Sequence, residues 1–77
     1  MIKERQMGRV FDYNGQVGTI ITIDNKYTFS KQDTKDNLKK GDDVEFTPNT
    51  IVFGNETLLV AKFIEKVNNK IKTKNLD

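Results

Sequence analysis

The sequence predicts an all-β fold, built as a small five-stranded barrel or sandwich. Two observations predict it. Short runs rich in β-branched and aromatic residues recur along the chain, and turn-forming residues separate them. With 77 residues, the chain fits a single domain. A closed barrel is the favoured architecture because closure removes the exposed sheet edges of a short β protein.

The first half of the chain predicts three strands, at residues 7–13, 17–23 and 26–30. Asn14-Gly15 joins the first two, and Asn-Gly is the strongest short-range signal for a β-hairpin. Asp24-Asn25 marks the next turn. Gly18 inside the second strand indicates a bulge or a tight bend of the barrel.

The second half begins with a polar run at residues 31–40, whose single apolar residue, Leu38, predicts a loop or a short helical turn. After the Gly41-Asp42 turn, residues 44–47 predict a strand that Pro48 ends, because proline lacks a backbone donor. Residues 50–53 form a candidate short edge strand before a Gly54-Asn55 turn. The last strand is predicted at residues 57–67, with a short helix as the alternative. Residues 1–67 are therefore the predicted domain, and residues 68–77 a polar, lysine-bearing tail.

The composition excludes several kinds of chemistry. The chain has no cysteine and no histidine, so it has no disulfide, no thiolate nucleophile and no histidine general base. We therefore expect no enzyme, no cofactor and no metal, and interpret Asp42-Asp43-x-Glu45 as a surface turn. The longest apolar run, at residues 58–61, is too short for a membrane span, so a cytoplasmic protein is expected.

A series of short motifs resembles the cold-shock domains. The segment at residues 8–14 resembles their first strand, and Gly18-Thr19-Ile20 the end of their glycine-containing motif. The best match is at residues 38–46, which look like the Leu-x-x-Gly-x-x-Val-x-Phe segment of that family. Residues 27–30 and 61–64 add two weaker matches in the same order.

The resemblance implies an OB-fold barrel that binds single-stranded RNA or DNA by stacking bases on exposed rings, with Lys and Arg along the phosphates. Several stacking positions of the family carry other residues in this sequence. Asp12 stands where the family has Trp, and Ser30 where it has His. The remaining replacements are Val17, Thr19, Thr28 and Lys31.

The number of rings available for base stacking depends on whether Tyr27 and Phe29 point into the barrel or toward solvent. The favoured interpretation places both rings inside the barrel, because the alternating residues Thr28 and Ser30 suit a solvent-facing surface. A one-residue slip in register would turn both rings outward. Phe46 and Phe63 are predicted to lie in the core. Partly exposed rings are expected at Phe11, Tyr13 and Phe53.

The predicted function is weak, non-sequence-specific binding of single-stranded RNA or DNA. The candidate contact residues are Arg9, Phe11, Tyr13, Lys26 and Tyr27. The net charge of +2 and the lysines of the tail would add weak attraction to phosphates, whereas the lysines of residues 31–40 are diluted by neighbouring aspartates. The alternative is a protein-interaction module, such as an accessory or phage-borne factor, on an OB barrel without the stacking face.

Overall fold

A computed structural model describes residues 4–67 of the chain, which form a closed five-stranded β-barrel. The all-β prediction and the five-stranded barrel are confirmed, and the architecture is OB-like. A single 3₁₀ turn at Lys31–Asp33 follows the third strand. The strands are β1 (Gln6–Tyr13), β2 (Val17–Ile21), β3 (Lys26–Ser30), β4 (Asp43–Phe53) and β5 (Glu56–Lys66).

The strands follow the order β1-β2-β3-β5-β4, and β4 closes the barrel by pairing with β1. All pairings are antiparallel except that of β3 with β5, which aligns Thr28 with Val60. β2 ends two residues earlier than predicted, because the Thr22 hydroxyl accepts the backbone N–H groups of Asp24 and Asn25 and closes the turn. Ile23 is left in solvent at this turn.

The core is a single apolar cluster inside the barrel. Tyr27 and Phe29 both point inward, with 4% and 2% of their surface exposed, as the favoured interpretation predicted. The Tyr27 ring packs on Phe46 with 4.9 Å between the ring centroids, and Phe29 packs on Tyr13 at 5.0 Å. The core residues are Val10, Ile20, Tyr27, Phe29, Leu38, Val44, Phe46, Ala61 and Ile64.

A bulge in β1 bends the barrel near Gly18. Val10 pairs with Ile20 and Asp12 with Thr19, so Phe11 is an extra residue in β1. A Cβ atom at Gly18 would lie 2.5 Å from the Asp12 carbonyl oxygen and 2.7 Å from Phe29 Cζ. The bulge predicted around Gly18 therefore lies in the opposite strand, and Gly18 provides the space that the bulge and the Phe29 ring require.

Pro48 does not end β4, so the prediction of two separate strands is wrong. β4 continues through Pro48 to Phe53, and the two-residue Gly54-Asn55 turn joins it to β5. The N–H of Thr50 donates to Asn49 Oδ1, which shows that Thr50 directs its backbone to the open edge of the strand. Because backbone direction repeats every second residue, Pro48 faces the same open edge, where no ladder donor is needed.

The predicted core position of Phe63 is also wrong, because its ring is 74% exposed. Glu45 pairs with Glu65 and Thr47 with Lys62, so β5 has one more residue than β4 at this point. The extra residue reverses the alternation, and Ile64 takes the inward position. Phe63 itself adopts a left-handed backbone, with φ of 49°.

The predictions for the polar run and for the last strand are confirmed. The polar run after β3 forms the 3₁₀ turn and a loop, and residues 57–66 lie in a strand, not in a helix. The predicted tail at residues 68–77 lies outside the described residues. Within residues 4–67, no helix has the length and apolarity that a membrane crossing requires.

Candidate nucleic-acid interface

The outer face of β1, β2 and β3 is the first part of the candidate interface. The strand register places Asp12, Thr19 and Thr28 in one row across the three strands. A second row contains Arg9, Ile21 and Lys26. Since paired residues of neighbouring strands share a face, these side chains form one continuous, mostly polar surface.

Phe11 provides an exposed ring on this face. The β1 bulge places it outside the barrel, and it is 49% exposed. Lys26 Nζ lies over the ring, 5.9 Å from its centroid, within the range of a cation–π contact. The face thus combines a ring and a cation, the two groups that single-stranded nucleic-acid binders use.

A shallow groove, here the threonine groove, crosses the face beside the β1–β2 hairpin. Thr19 and Thr28 supply hydroxyl groups, and Asp12 supplies a carboxylate that accepts hydrogen bonds but opposes phosphate. Its lining is Asp12, Tyr13, Asn14, Val17, Gly18, Thr19 and Thr28.

A second groove, the lysine groove, lies between the β1–β2 hairpin and the loop after β3. It is lined by Tyr13, Gly15, Lys31 and residues 34–40, which include Lys35, Lys39 and Lys40. All four lysines are exposed. Tyr13 lines both grooves, so this half-buried residue stands where they meet.

The aspartates of this loop bind groups of the barrel rather than the lysines of the groove. Asp33 accepts the backbone N–H of Ser30 at 2.8 Å and pairs with Lys62 Nζ at 3.0 Å. The Asp36 carboxylate accepts the backbone N–H of Lys66.

Asp42 has the same role at the end of the loop. It accepts the N–H of Lys39 at 2.9 Å and pairs with Lys66 Nζ at 3.6 Å. Among residues 4–67, no carboxylate forms an ion pair with any of the four groove lysines. The four lysines are therefore not neutralised by ion pairs with these carboxylates, although the Asp36 carboxylate also lines the groove.

The structure places four of the five predicted contact residues on the outer face or at its edge. Phe11, Lys26 and Tyr13 lie on the outer face or at its edge. Arg9 is exposed on the same face, but its Nε atom pairs with Asp43 Oδ1 at 2.9 Å. Tyr27 is a correction: its ring is buried against Phe46, and its hydroxyl lies 3.4 Å from Gln6 Oε1, so no base can stack on it.

Sequence reasoning undervalued the lysines of the groove. It counted the nearby aspartates as diluting charges, but those carboxylates act as caps. The signal was the Ser30-x-x-Asp33 spacing, which is typical of a capping box, in which the acid binds a backbone N–H group. The spacing of Lys39 and Asp42 repeats that pattern.

Within the described part of the chain, no three acidic side chains converge on a common point that could hold a metal ion. Asp42 and Asp43 both form ion pairs with basic side chains, as given above. In sequence, the chain matches no protein-family model and no curated protein.

Proposed function

We propose that the protein binds single-stranded RNA or DNA, weakly and with little sequence preference, along the lysine groove and the outer face of β1–β3. The lysine groove carries the proposal: four exposed lysines, which form no ion pair among residues 4–67, line a groove that is also lined by Tyr13. A positive groove that follows the backbone, next to rings that stack bases, is the general arrangement of such proteins.

We infer the path of the bound nucleic acid from the two grooves. Phosphates lie along Lys31, Lys35, Lys39 and Lys40, and bases turn toward Tyr13 and the threonine groove. Phe11 and Lys26 receive the next nucleotide on the outer face. Binding is weak because Tyr13 is half-buried, only about half of the Phe11 surface is exposed, and Asp12 opposes phosphate.

A titration tests this function. Labelled oligo-dT and oligo-U are added at low and moderate salt, and the tyrosine emission is followed, since Tyr13 lies at the meeting point of the grooves. Binding at low salt that weakens as salt rises is the expected result. Absence of binding at about 50 mM salt, where phosphate contacts are strong, contradicts the proposal.

Two matched phenylalanine variants test the site. Phe11→Ala should weaken binding by about 1–3 kcal/mol, the value of one stacked base. Phe53→Ala is the control, because Phe53 is 55% exposed, close to the 49% of Phe11, but lies at the end of β4, outside the outer face of β1–β3 and outside both grooves. Equal losses in the two variants would mean that binding does not use this face.

A protein-interaction module is the second candidate. Burial of Tyr27 and Phe29 favours it, because both rings lie in the core and neither is available to stack on a base. On this proposal the oligonucleotides do not bind, and a partner captured from a host extract stays bound at high salt.

A further inference from the structure

The far ends of β4 and β5 form a two-stranded arm, defined as residues 48–53 and 56–59. β1 pairs with β4 only between Asp43 and Phe46, and β3 meets β5 at Val60. Among the described residues, the two strands of the arm have only each other as ladder partners. An open edge of this kind is a template for a further strand.

The arm is apolar and nearly uncharged. The chain is 31% charged, yet residues 46–55 contain no charged side chain. The exposed large apolar residues of the arm are Ile51, Val52, Phe53 and Leu58. Natural edge strands are usually protected by charges or by proline, and residues 48–53 of β4 offer Pro48 but no charged side chain.

The direction of the backbone identifies which groups are offered. The N–H of Thr50 points to the open edge of β4, where Asn49 Oδ1 accepts it. With a period of two, Val52 directs its N–H and C=O to the same edge. Ile51, between them, directs its backbone to β5, where it pairs with Leu58.

We propose that the open edge of β4 binds the same edge of a second copy of this chain, antiparallel, about a two-fold axis at Ile51. In an antiparallel two-fold pairing the residue on the axis meets its own equivalent, so a charge there would face a like charge, and the flanking residues meet other residues of the same segment. The uncharged segment meets this requirement. It has no cationic side chain for a phosphate backbone and lies outside both grooves, so the proposal is independent of the nucleic-acid site.

The register is fixed by the directions of the backbone. Thr50 of one copy and Val52 of the other exchange N–H and C=O bonds, for which the Thr50 N–H leaves Asn49 Oδ1, and the two Ile51 residues form the non-hydrogen-bonded pair between them. The Cα atoms of such a pair are about 4.5 Å apart, which brings the two isoleucine side chains into contact.

Cysteine cross-linking tests this register directly. The chain contains no cysteine, so Ile51→Cys introduces the only thiol, and a Cα separation of about 4.5 Å permits a disulfide. Under mild oxidation this variant should form a covalent dimer rapidly. Thr57→Cys, on the β5 strand of the same arm, is the exposed control and should remain mostly monomeric. Equal rates for the two variants, or no dimer in either, would overturn the proposal.

Sedimentation of the unmodified protein and charged variants gives a second test. The mass of the native chain should rise from monomer toward dimer with concentration, and Ile51→Lys should weaken dimerisation about tenfold or more. Mixing Ile51→Lys with Ile51→Glu should restore it, because opposite charges then meet at the axis. A native chain that stays monomeric at every concentration, or a mixture that does not associate, contradicts the proposal.

Hydrogen exchange keeps the test independent of the variants. In the native chain, the amides of Thr50 and Val52 should become more protected as concentration rises, while that of Ile51 should change little. Protection that does not depend on concentration would refute pairing at this edge, even where a charged variant fails to fold.

Discussion

The left-handed backbone at Phe63 predicts an unusual order of stability for two substitutions. Glycine in a regular strand costs about 0.5–1 kcal/mol relative to alanine, because it loses more conformational freedom on folding. A left-handed conformation costs a residue with a Cβ atom about 1–2 kcal/mol, and glycine avoids this cost. At φ of 49° the second effect is larger, so Phe63→Gly should be more stable than Phe63→Ala by about 0.5–1 kcal/mol.

Loss of the ring itself contributes little to this comparison. Phe63 is 74% exposed, so about a quarter of its surface is buried, and full burial of a Phe side chain is worth about 1.5–3 kcal/mol. Both variants lose the same contact, of roughly 0.5 kcal/mol, and their difference therefore reports the backbone alone.

The assay is chemical denaturation of the two variants, followed by circular dichroism. Thr57 gives the matched control, since it is exposed in a regular part of β5 and its φ is negative. Thr57→Gly should be less stable than Thr57→Ala by about 0.5–1 kcal/mol. If glycine is the less stable variant at position 63 as well, the strained bulge is refuted.

Two further substitutions test the fold and the charge of the face. Gly18→Ala should destabilise the protein by about 1–3 kcal/mol or more, because the new Cβ would lie 2.5 Å from the Asp12 carbonyl oxygen; an unchanged denaturation midpoint would contradict the packing around the bulge. Asp12→Asn keeps the shape of the threonine groove and removes its negative charge. It should strengthen oligonucleotide binding at low salt by about 0.2–1 kcal/mol in a titration, and a gain that persists at high salt would show that charge is not its cause.

Much of the barrel could be predicted from local patterns. The alternation of Tyr27 and Phe29 with Thr28 and Ser30 indicates which rings are buried, because side chains in a strand alternate between two faces. Gly15 and Gly54 mark turns in the sequence, because glycine adopts positive φ angles without steric cost. Both residues have positive φ angles in the structure.

The errors arise where tertiary structure overrides the local pattern. Phe63 carries no sequence sign of a bulge, since left-handed positions usually hold glycine or asparagine. Pro48 ends a central strand but not an edge strand, and the sequence does not show which edge of β4 is open.

Only part of the candidate site could be predicted from the sequence, because tertiary contacts determine the rest. Phe11 and Lys26 were identified by residue type, and the β1 bulge brings them together. The lysine groove was not identified, because the partners of Asp33, Asp36 and Asp42 decide its charge. Lys62 is 29 residues from Asp33, and Lys66 is 24 residues from Asp42 and 30 from Asp36, so only the closed barrel brings them near.

The salt dependence of oligonucleotide affinity tests the central claim most directly. Each phosphate contact contributes about −0.7 to the slope of log affinity against log salt for single strands, so four lysines account for about −2.8. The slope should lose about this amount when all four are changed to glutamine (Lys31→Gln, Lys35→Gln, Lys39→Gln, Lys40→Gln).

The control variant carries Lys70→Gln, Lys72→Gln and Lys74→Gln, in the lysine-bearing tail. The proposed function predicts that the groove variant loses most of the salt dependence and that the tail variant keeps it. A slope that is unchanged in the groove variant and lost in the tail variant would contradict the proposed interface.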